Sequence, residues 1–170
     1  MTTTASKPSR SDASAMAPTE LRYLVLAAQR EGNRALVKLL ADLDLTPSQA
    51  EILLVLDEYG PVTLRELGEL IVCEAGSPSR IVEVLVQREL VERSSSALDR
   101  RAVQLGVTAE AARLIPRLRA VEEHLDAYAT SLLSAKEQAV LGRALRKYLA
   151  GTPSAEVLEH RFAAKRSHSA

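Results

Sequence analysis

Aromatic residues are scarce in this chain, whose 170 residues include four tyrosines, one phenylalanine and no tryptophan. A core without large rings must be built from leucine, isoleucine, valine and alanine, which favours helices. The single cysteine excludes an internal disulfide and is consistent with a cytoplasmic protein. No run of about 18 apolar residues occurs, which excludes a transmembrane helix.

Signatures of enzymes and of metal sites are missing as well. The sequence has no glycine-rich phosphate loop, no GxSxG motif and no cluster of histidines and carboxylates in an order that suggests a pocket. Its three histidines, His124, His160 and His168, stand apart from other ligand residues. We therefore expect neither an enzyme nor a protein with a metal or another cofactor.

The first 17 residues are rich in serine, threonine and alanine and contain no apolar segment. This composition predicts a disordered tail rather than a signal peptide. The length of the chain suits one compact domain with appendages.

Two helix starts with the same capping signal lie in the central segment, residues 45–108. Thr46 is followed by a proline and then by Gln49, and Thr63 is followed by Glu66, so both starts match a capping box. The first predicted helix ends at Gly60-Pro61. The second places four apolar residues on one face: Leu64, Leu67, Leu70 and Ile71.

A third helix and a β-hairpin complete the central segment. The run Ser77-Pro78-Ser79-Arg80 predicts a helix start, and the core face of that helix would be Ile81, Val82 and Leu85. Leu90–Arg93 and Ala102–Val107 indicate two paired strands around a charged, serine-rich loop. Three helices followed by a hairpin are the order that a DNA-binding winged helix requires.

These motifs resemble those of the MarR family of bacterial transcriptional regulators. The matching points, in order, are Leu45-Thr46-Pro47, Gly60-Pro61, Ser79–Val82, Leu90–Arg93 and Asp99-Arg100-Arg101 ahead of Val107-Thr108. Each is weak alone, but the ordered set at this spacing is fairly specific. The resemblance implies a homodimeric, sequence-specific regulator, in the favoured interpretation a repressor. Its affinity for a pseudo-palindromic double-stranded DNA operator would respond to a small aromatic molecule or an oxidant.

The predicted fold is mainly α with a small β-hairpin, and dimerisation helices flank the winged helix-turn-helix domain. The predicted parts are a tail at 1–17, a dimerisation helix at 18–43, the winged domain at 45–108, C-terminal dimerisation helices at 109–150 and a tail with room for one short helix at 151–170. Within the C-terminal helices, Pro116 predicts a bend or a helix start.

An apolar stripe with steps of four and three residues supports the C-terminal dimerisation helices. Its members are Leu114, Leu118, Val121, Leu125, Tyr128 and Leu132. The same stripe is compatible with a packed monomeric bundle. The resemblance favours the dimer, in which the first helix and the last helices pair across a two-fold axis.

The start of the third helix holds the candidate base-reading residues Ser77, Ser79 and Arg80. In a winged helix this helix enters the major groove with its first residues toward the bases. Arginine reads guanine with two hydrogen bonds, and a serine hydroxyl can serve bases or phosphates. The alternatives are that Ser77 only caps the helix and that Arg80 only forms a surface ion pair.

The predicted wing carries Asp99, Arg100 and Arg101. The resemblance implies that Asp99 pairs with a wing arginine and holds the hairpin, while the other arginine reaches the minor groove or a phosphate. An ordinary solvated turn of mixed charge is the alternative. The run Ser94–Ser96 replaces the more basic wing that is usual in the family, which predicts a more flexible wing.

The charge balance of the central segment counts against DNA affinity. Residues 45–107 hold six arginines and ten acidic residues, a net charge of −4, where a basic surface is expected. The serine-rich wing and Val84, which replaces a residue that is often basic, also count against DNA affinity. Glu89 replaces a glycine that ends the recognition helix, which predicts a turn of different shape. The alternative function is therefore a winged-helix protein-interaction module that has lost specific DNA binding.

An effector site cannot be assigned from the residues. The family binds small aromatic compounds between the dimerisation helices and the winged domain, and Tyr23, Arg34 and Tyr59 are polar or aromatic groups near the corresponding helices, each equally suited to surface or core. Cys73 has acidic neighbours, Glu69 and Glu74, which would raise a thiol pKa. We therefore expect Cys73 to be a structural thiol rather than a redox sensor.

Overall fold

The computed structural model describes residues 16–72, 77–95 and 102–167, with side chains as far as residue 162. The chain forms two compact units. The first ends at Ala35 and the second runs from Leu36 onward, so the boundary lies within the first helix. The helices are α1 (Pro18–Leu40), a 3-10 turn (Ala41–Leu43), α2 (Pro47–Tyr59), α3 (Leu64–Gly68), α4 (Pro78–Gln87), α5 (Ala109–Leu132), α6 (Ala135–Leu149) and α7 (Pro153–Ser167). The strands are β1 (Val62–Thr63), β2 (Val91–Ser95) and β3 (Val103–Val107).

The helix starts predicted from capping boxes are confirmed. The Thr46 hydroxyl accepts the Gln49 amide (3.3 Å), while the Gln49 side chain accepts the Thr46 amide (2.9 Å). Thr63 and Glu66 form the same reciprocal pair at α3, and a third capping box opens α6. These bonds satisfy backbone donors that have no partner inside the helix.

Helix α2 ends at Gly60, as Gly60-Pro61 predicts. A β-carbon at position 60 would lie 2.4 Å from the carbonyl oxygen of Leu56. That oxygen accepts the hydrogen bond of the Gly60 amide at 3.0 Å. Only glycine allows this close approach, so the residue fixes where the chain leaves α2.

The predicted hairpin is present and belongs to a three-stranded antiparallel sheet of order β1-β3-β2. Val91 pairs with Val107 and Ser95 pairs with Val103, so the β2 strand lies slightly later than the predicted Leu90–Arg93. The sequence did not predict β1, whose two residues pair with Leu105 and Gln104. This short strand ties the entry of α3 to the wing.

The core is centred on α2. Its run Ile52–Leu56 is entirely buried, and Leu53 is fully inaccessible. Around it lie buried residues of every neighbouring element: Leu40, Leu67, Val82, Leu85, Leu105, Ile115 and Leu118. Of the predicted faces, Val82, Leu85, Leu67 and Ile71 are buried, whereas Leu64 lies exposed and Ile81 and Leu70 only half-buried.

Helix α5 runs without a break through Pro116, so the predicted helix start at that proline is wrong. The helix begins at Ala109, where the Thr108 hydroxyl accepts the Ala111 amide at 3.1 Å. Pro116 removes one backbone donor in the second turn, and the buried neighbours Ile115 and Leu118 hold the helix in place.

The two halves of the apolar stripe on α5 differ in burial. Leu118 is buried, and Leu114, Val121 and Leu125 are partly covered. Tyr128 and Leu132 keep 61% and 63% of their surface exposed. A single chain therefore does not cover the second half of this stripe.

The C-terminal segment departs from the sequence prediction. Residues 151–170 are predicted to be a tail with one short helix, but α7 spans Pro153–Ser167 and docks on α2. The Tyr59 hydroxyl donates to the carbonyl of Arg161 at 2.7 Å, and the Arg161 side chain binds Glu51 at 2.5 Å. Both contacts join residues more than a hundred positions apart, which no local pattern reveals.

None of the helices in the described ranges is both long and apolar enough to cross a membrane.

We predict that Thr63→Ala lowers the free energy of unfolding by about 1 kcal/mol at pH 7, because the N-cap of α3 is lost. The backbone amide and the hydroxyl of Thr63 both donate to Glu66 and lower its pKa below the usual value, and alanine at position 63 removes only the contribution of the hydroxyl. A lowered pKa in the folded state stabilises the fold above the unfolded carboxyl pKa, and this contribution disappears as the pH falls through the folded pKa.

Urea unfolding at several pH values between 7 and 3.5 measures this effect, and the deficit of the variant should shrink toward the acidic end. Thr130→Ala is the control, since the Thr130 hydroxyl bonds within α5 to Asp126 and caps no helix. An equal loss from both variants, or a deficit independent of pH, would contradict the prediction.

Candidate nucleic-acid interface

The start of α4 presents its polar residues to solvent. Ser77 occupies the N-cap position with an extended backbone, and Pro78 follows in the first turn. The Ser77 hydroxyl makes no capping hydrogen bond; it lies 2.6 Å from the hydroxyl of Ser79. Ser77, Ser79 and Arg80 are all exposed, so the structure brings the three predicted residues together at one helix end.

The opposite side of α4 fixes the helix on the core. Val82 and Leu85 are almost completely buried against α2 and its neighbours. Arg88, at the C-cap, donates to the carbonyl of Asp44 (2.7 Å) and to its carboxylate (3.1 Å). Asp44 holds a left-handed backbone (φ 50°) after the 3-10 turn, so one arginine ties the end of α4 to the loop before α2.

An exposed stripe runs along the outer face of α4. Its members are Ser79, Arg80, Glu83, Val84 and Gln87. Steps of three and four residues place them on one side of the helix, opposite the buried Val82 and Leu85. This is the face that a nucleic acid could reach.

Of the two charged residues on this face, Glu83 has an ion-pair partner among the described residues and Arg80 has none. Glu83 accepts a hydrogen bond from Arg93 of β2 at 2.8 Å, which joins the recognition helix to the wing. Among the described residues, no carboxylate lies within ion-pair distance of Arg80, whereas Arg65, Arg88 and Arg93 each have one. The surface ion-pair alternative for Arg80 therefore finds no described partner.

The turn after α4 keeps the left-handed geometry that glycine would adopt. Glu89 has φ 55°, so the expected change in the shape of this turn is not found. The Thr108 hydroxyl donates to the carbonyl of Glu89 at 2.7 Å, and the Leu90 amide donates to the carbonyl of Leu85 at 2.9 Å. These bonds hold a backbone conformation that costs a non-glycine residue about 1 kcal/mol.

The wing hairpin is described as far as Ser95 and from Ala102 onward. Asp99, Arg100 and Arg101 belong to residues 96–101, which lie outside the described residues, and so does Cys73. Ser95 and Val103, which flank these residues in the chain, are the last described residues that pair β2 with β3.

A cleft of about 230 Å³ lies between the winged domain and the later helices. Its apolar walls come from the end of α1, from α2 and from α5, and three charged side chains, Glu51, Glu122 and Arg161, border it. Of the three groups considered near such a cleft, Tyr59 binds the Arg161 carbonyl and Arg34 pairs with Glu31. Tyr23 is exposed on α1 next to the guanidinium of Arg22.

Sequence reasoning missed the contacts that join distant parts of the chain to α4 and to α2. Arg88 contacts a residue 44 positions earlier, and Arg161 contacts one 110 positions earlier. The Glu83–Arg93 pair could have been predicted from the sequence, because a helix followed by a hairpin strand brings residues ten positions apart side by side.

Comparisons with known proteins agree on the architecture. The sequence pattern of the winged helix DNA-binding domain matches residues 45–111. The organic hydroperoxide resistance transcriptional regulator of Bacillus subtilis (strain 168) is 30% identical over 95 residues, which is 56% of this chain and 65% of that regulator. The match thus spans less than two thirds of the curated relative.

Solved structures extend the likeness beyond the winged domain. A mutant MarR from E. coli in complex with operator DNA superposes with a TM-score of 0.68 at 28% identity, over 76% of this chain and 93% of that one. The repressor CouR bound to a 23-mer DNA duplex superposes with a TM-score of 0.66 over 84% of this chain and 99% of that one. At 23% identity the second match supports the fold alone.

Proposed function

The chain belongs to the MarR family of winged-helix proteins, and from this premise we propose that it is a transcriptional regulator that binds double-stranded DNA as a homodimer. In this proposal α4 lies in the major groove and the wing follows the backbone or the minor groove. Two-fold symmetry then requires a pseudo-palindromic operator with half-sites about one helical turn apart.

The observation that carries this proposal is Arg80 on the outer face of α4. Its side chain is exposed at the first turn of the helix and has no carboxylate partner among the described residues. A guanidinium placed there can donate two parallel hydrogen bonds to guanine. Ser77 and Ser79 supply hydroxyls beside it, suited to a phosphate or a base edge.

The wing residues enter the proposal through the family motif. We assign to Asp99 the role of holding the hairpin and to Arg100 and Arg101 contacts with the DNA backbone or the minor groove. In the sequence they lie between Ser95 and Val103, the paired residues of β2 and β3, as the family motif requires.

The negative charge of the winged domain is partly compensated by arginines from outside it. Asp57 binds Arg119 of α5 at 2.5 Å, and Glu51 binds Arg161 of α7 at the same distance. The hydrogen bond to Asp57 also raises the pKa of Arg119. Two of the acidic residues that seemed to oppose DNA binding are therefore neutralised inside the fold.

The proposed dimer interface consists of the exposed apolar face of α6 and the second half of the α5 stripe. None of the fifteen residues of α6 is buried, although Val140, Leu141 and Leu145 lie on one side of it. An uncovered apolar face of this kind marks an interaction surface. A second copy that packs α5 and α6 across a two-fold axis would cover it.

We further assign the cleft beside Glu51 and Arg161 to a small aromatic effector, and we take repression of a neighbouring promoter as the mode of action. The apolar walls and the volume of about 230 Å³ suit a small molecule. Its position between the end of α1, α2 and α5 would let an occupant change how the winged domain is held.

Arg80→Ala should cost roughly 1–3 kcal/mol on the specific operator and relax discrimination at one base pair, because alanine cannot hydrogen-bond to the base edge. Arg80→Lys should bind scrambled DNA like the wild type and discriminate less well at that base pair, since lysine keeps the charge but lacks the planar fork. Binding isotherms on operator and scrambled DNA from the upstream intergenic region measure both effects.

Arg113→Ala is the matched control for Arg80, because Arg113 is an exposed arginine paired with Glu110 on α5, away from α4. Equal losses from Arg80→Ala on operator and scrambled DNA would refute a base-reading role. A wild-type chain that dimerises but shows no salt-sensitive DNA affinity would instead indicate a protein-interaction module.

Arg100→Ala and Arg101→Ala should weaken binding to all sequences evenly and lower the slope of affinity against salt by about one for each phosphate that is no longer neutralised. An arginine in the wing neutralises phosphate charge without reading bases, so discrimination should be unchanged. The same isotherms at several salt concentrations give the slope. Wild-type affinity and slope in both variants would mean that the hairpin does not touch DNA.

The pair of substitutions Leu141→Glu and Leu145→Glu should convert the protein to a monomer, because two charges in an apolar interface are costly to bury. Sedimentation velocity measures the assembly, and operator affinity should fall with it because each half-site is then bound separately. Arg143→Glu, on another side of α6, is the control and should remain dimeric. Deletion of residues 18–43 is a poorer test, since Leu40 and Leu43 belong to the core.

A further inference from the structure

The hydroxyl of Thr108 bonds to the ends of two helices at once. It donates to the carbonyl of Glu89, in the turn after α4, at 2.7 Å, and it accepts the amide of Ala111, in the first turn of α5, at 3.1 Å. The amide of Thr108 also donates to the carbonyl of Leu90 at 3.2 Å. One half-buried side chain therefore connects the end of the recognition helix directly to the start of α5.

The turn after α4 has the hydrogen bonds of a Schellman motif. The Glu89 amide donates to the carbonyl of Val86 at 3.0 Å, and the Leu90 amide donates to that of Leu85 at 2.9 Å. This motif needs a left-handed residue at its corner, which is usually glycine, and here Glu89 holds φ 55°. The last turn of α4 is thus closed by a residue whose own backbone preference opposes the motif.

A similar hydroxyl arrangement lies at the junction of α6 and α7, where glycine takes the left-handed position. The Thr152 hydroxyl donates to the carbonyl of Leu149 at 2.7 Å and accepts the amide of Ala155 at 3.3 Å. The left-handed residue there is Gly151 (φ 78°), which adopts this conformation without a steric penalty. At the end of α4 a non-glycine residue stands in that place, so the bond from Thr108 has a strained conformation to hold.

We propose that Thr108 is a positioning residue for DNA binding, whose hydroxyl holds Glu89 left-handed and so fixes the last turn of α4 relative to α5. This inference rests on the proposed function. Without the hydroxyl, Glu89 can leave the left-handed region, and the hydrogen bond between Leu90 and Leu85 opens with it. Bases are read by directional hydrogen bonds, whereas attraction to phosphate does not depend on sequence. A loosened α4 should therefore lose affinity mainly for the specific operator.

A role in capping α5 alone makes a different prediction. Thr108→Val removes both hydrogen bonds of the hydroxyl. Glu89→Gly in the same chain removes the need for the bond to residue 89, because glycine adopts the left-handed conformation freely, but the double variant still lacks the cap of α5. Positioning through Glu89 therefore predicts that the double variant recovers specific DNA binding, and capping alone predicts that it does not.

Amide hydrogen exchange in the full-length protein follows local opening of the turn. Thr108→Val should lower the protection of the Leu90 amide about fivefold, the effect of one lost hydrogen bond. Thr108→Ser keeps the hydroxyl and should stay within about twofold of the wild type. Adding Glu89→Gly to Thr108→Val should restore Leu90 to the same range, once protection is corrected for the changed neighbour, while the Ala111 amide remains poorly protected.

Thr152→Val is the matched control, since it removes the same two kinds of hydrogen bond at the junction of α6 and α7 and should leave the Leu90 amide as protected as in the wild type. Equal losses of Leu90 protection from Thr108→Val and Thr152→Val would indicate a general loss of stability and overturn the inference. A double variant that does not recover would overturn it as well. If Thr108→Val does not fold, Glu89→Gly alone should raise the protection of Leu90, and unchanged or lower protection would contradict the inference.

DNA binding gives an independent measurement on the operator fragment of the upstream intergenic DNA. Thr108→Val should weaken operator affinity about fivefold and affinity for scrambled DNA less than about twofold, with an unchanged salt slope, because no phosphate contact is lost. The double variant with Glu89→Gly and the control Thr152→Val should both discriminate like the wild type. Absence of DNA binding by the wild-type chain would overturn the proposed function, whereas normal discrimination by Thr108→Val in a chain that binds DNA would overturn this inference alone.

Discussion

Burial of α2 on almost every side is the constraint on which the rest of the structure depends. Its apolar run Ile52–Leu56 packs against α4, α5 and the sheet at once. Truncating one such buried leucine to alanine typically costs 2–5 kcal/mol, a large share of the 5–15 kcal/mol that stabilise a domain. The recognition helix is therefore positioned by the core first, and its polar face only has to remain unobstructed.

Ion pairs around this core serve orientation more than stability. Arg88 with Asp44 and Arg93 with Glu83 are partly exposed and contribute at most about 1 kcal/mol each. Yet the first ties the end of α4 to the loop before α2, and the second ties its outer face to the wing. Arg80 stands out against this background because every other described arginine of residues 45–107 already has an acidic neighbour.

Local signals made much of this fold predictable from the sequence. Capping boxes at Thr46 and Thr63 and the alternation around the hairpin involve residues close together in the chain, so they act before tertiary packing. The docking of α7, in contrast, depends on a pair of residues 110 positions apart. The bonds that hold Glu89 in a left-handed turn likewise come from Thr108, across the hairpin.

The candidate site shows the same division between local and distant information. The sequence indicated Ser77, Ser79 and Arg80 from their place at a helix start, which is a local property. That the two serine hydroxyls face each other and that Arg80 has no carboxylate partner among the described residues required the structure. Both facts depend on how the neighbouring elements pack around α4.

The small number of arginines on α4 explains why the proposed DNA binding depends on the proposed dimer. One arginine that reads one base supplies roughly 1–3 kcal/mol of discrimination, and the paired Arg93 adds little further charge. Specific protein–DNA complexes commonly exceed nonspecific ones by about 4–10 kcal/mol. In the proposed dimer, two recognition helices joined through α5 and α6 would nearly double the contribution of each contact, because the second helix binds at a high effective concentration once the first is bound. The proposed dimer therefore connects the exposed apolar face of α6 with the weak charge of α4, because assembly through the first would supply the DNA contacts that a single subunit lacks.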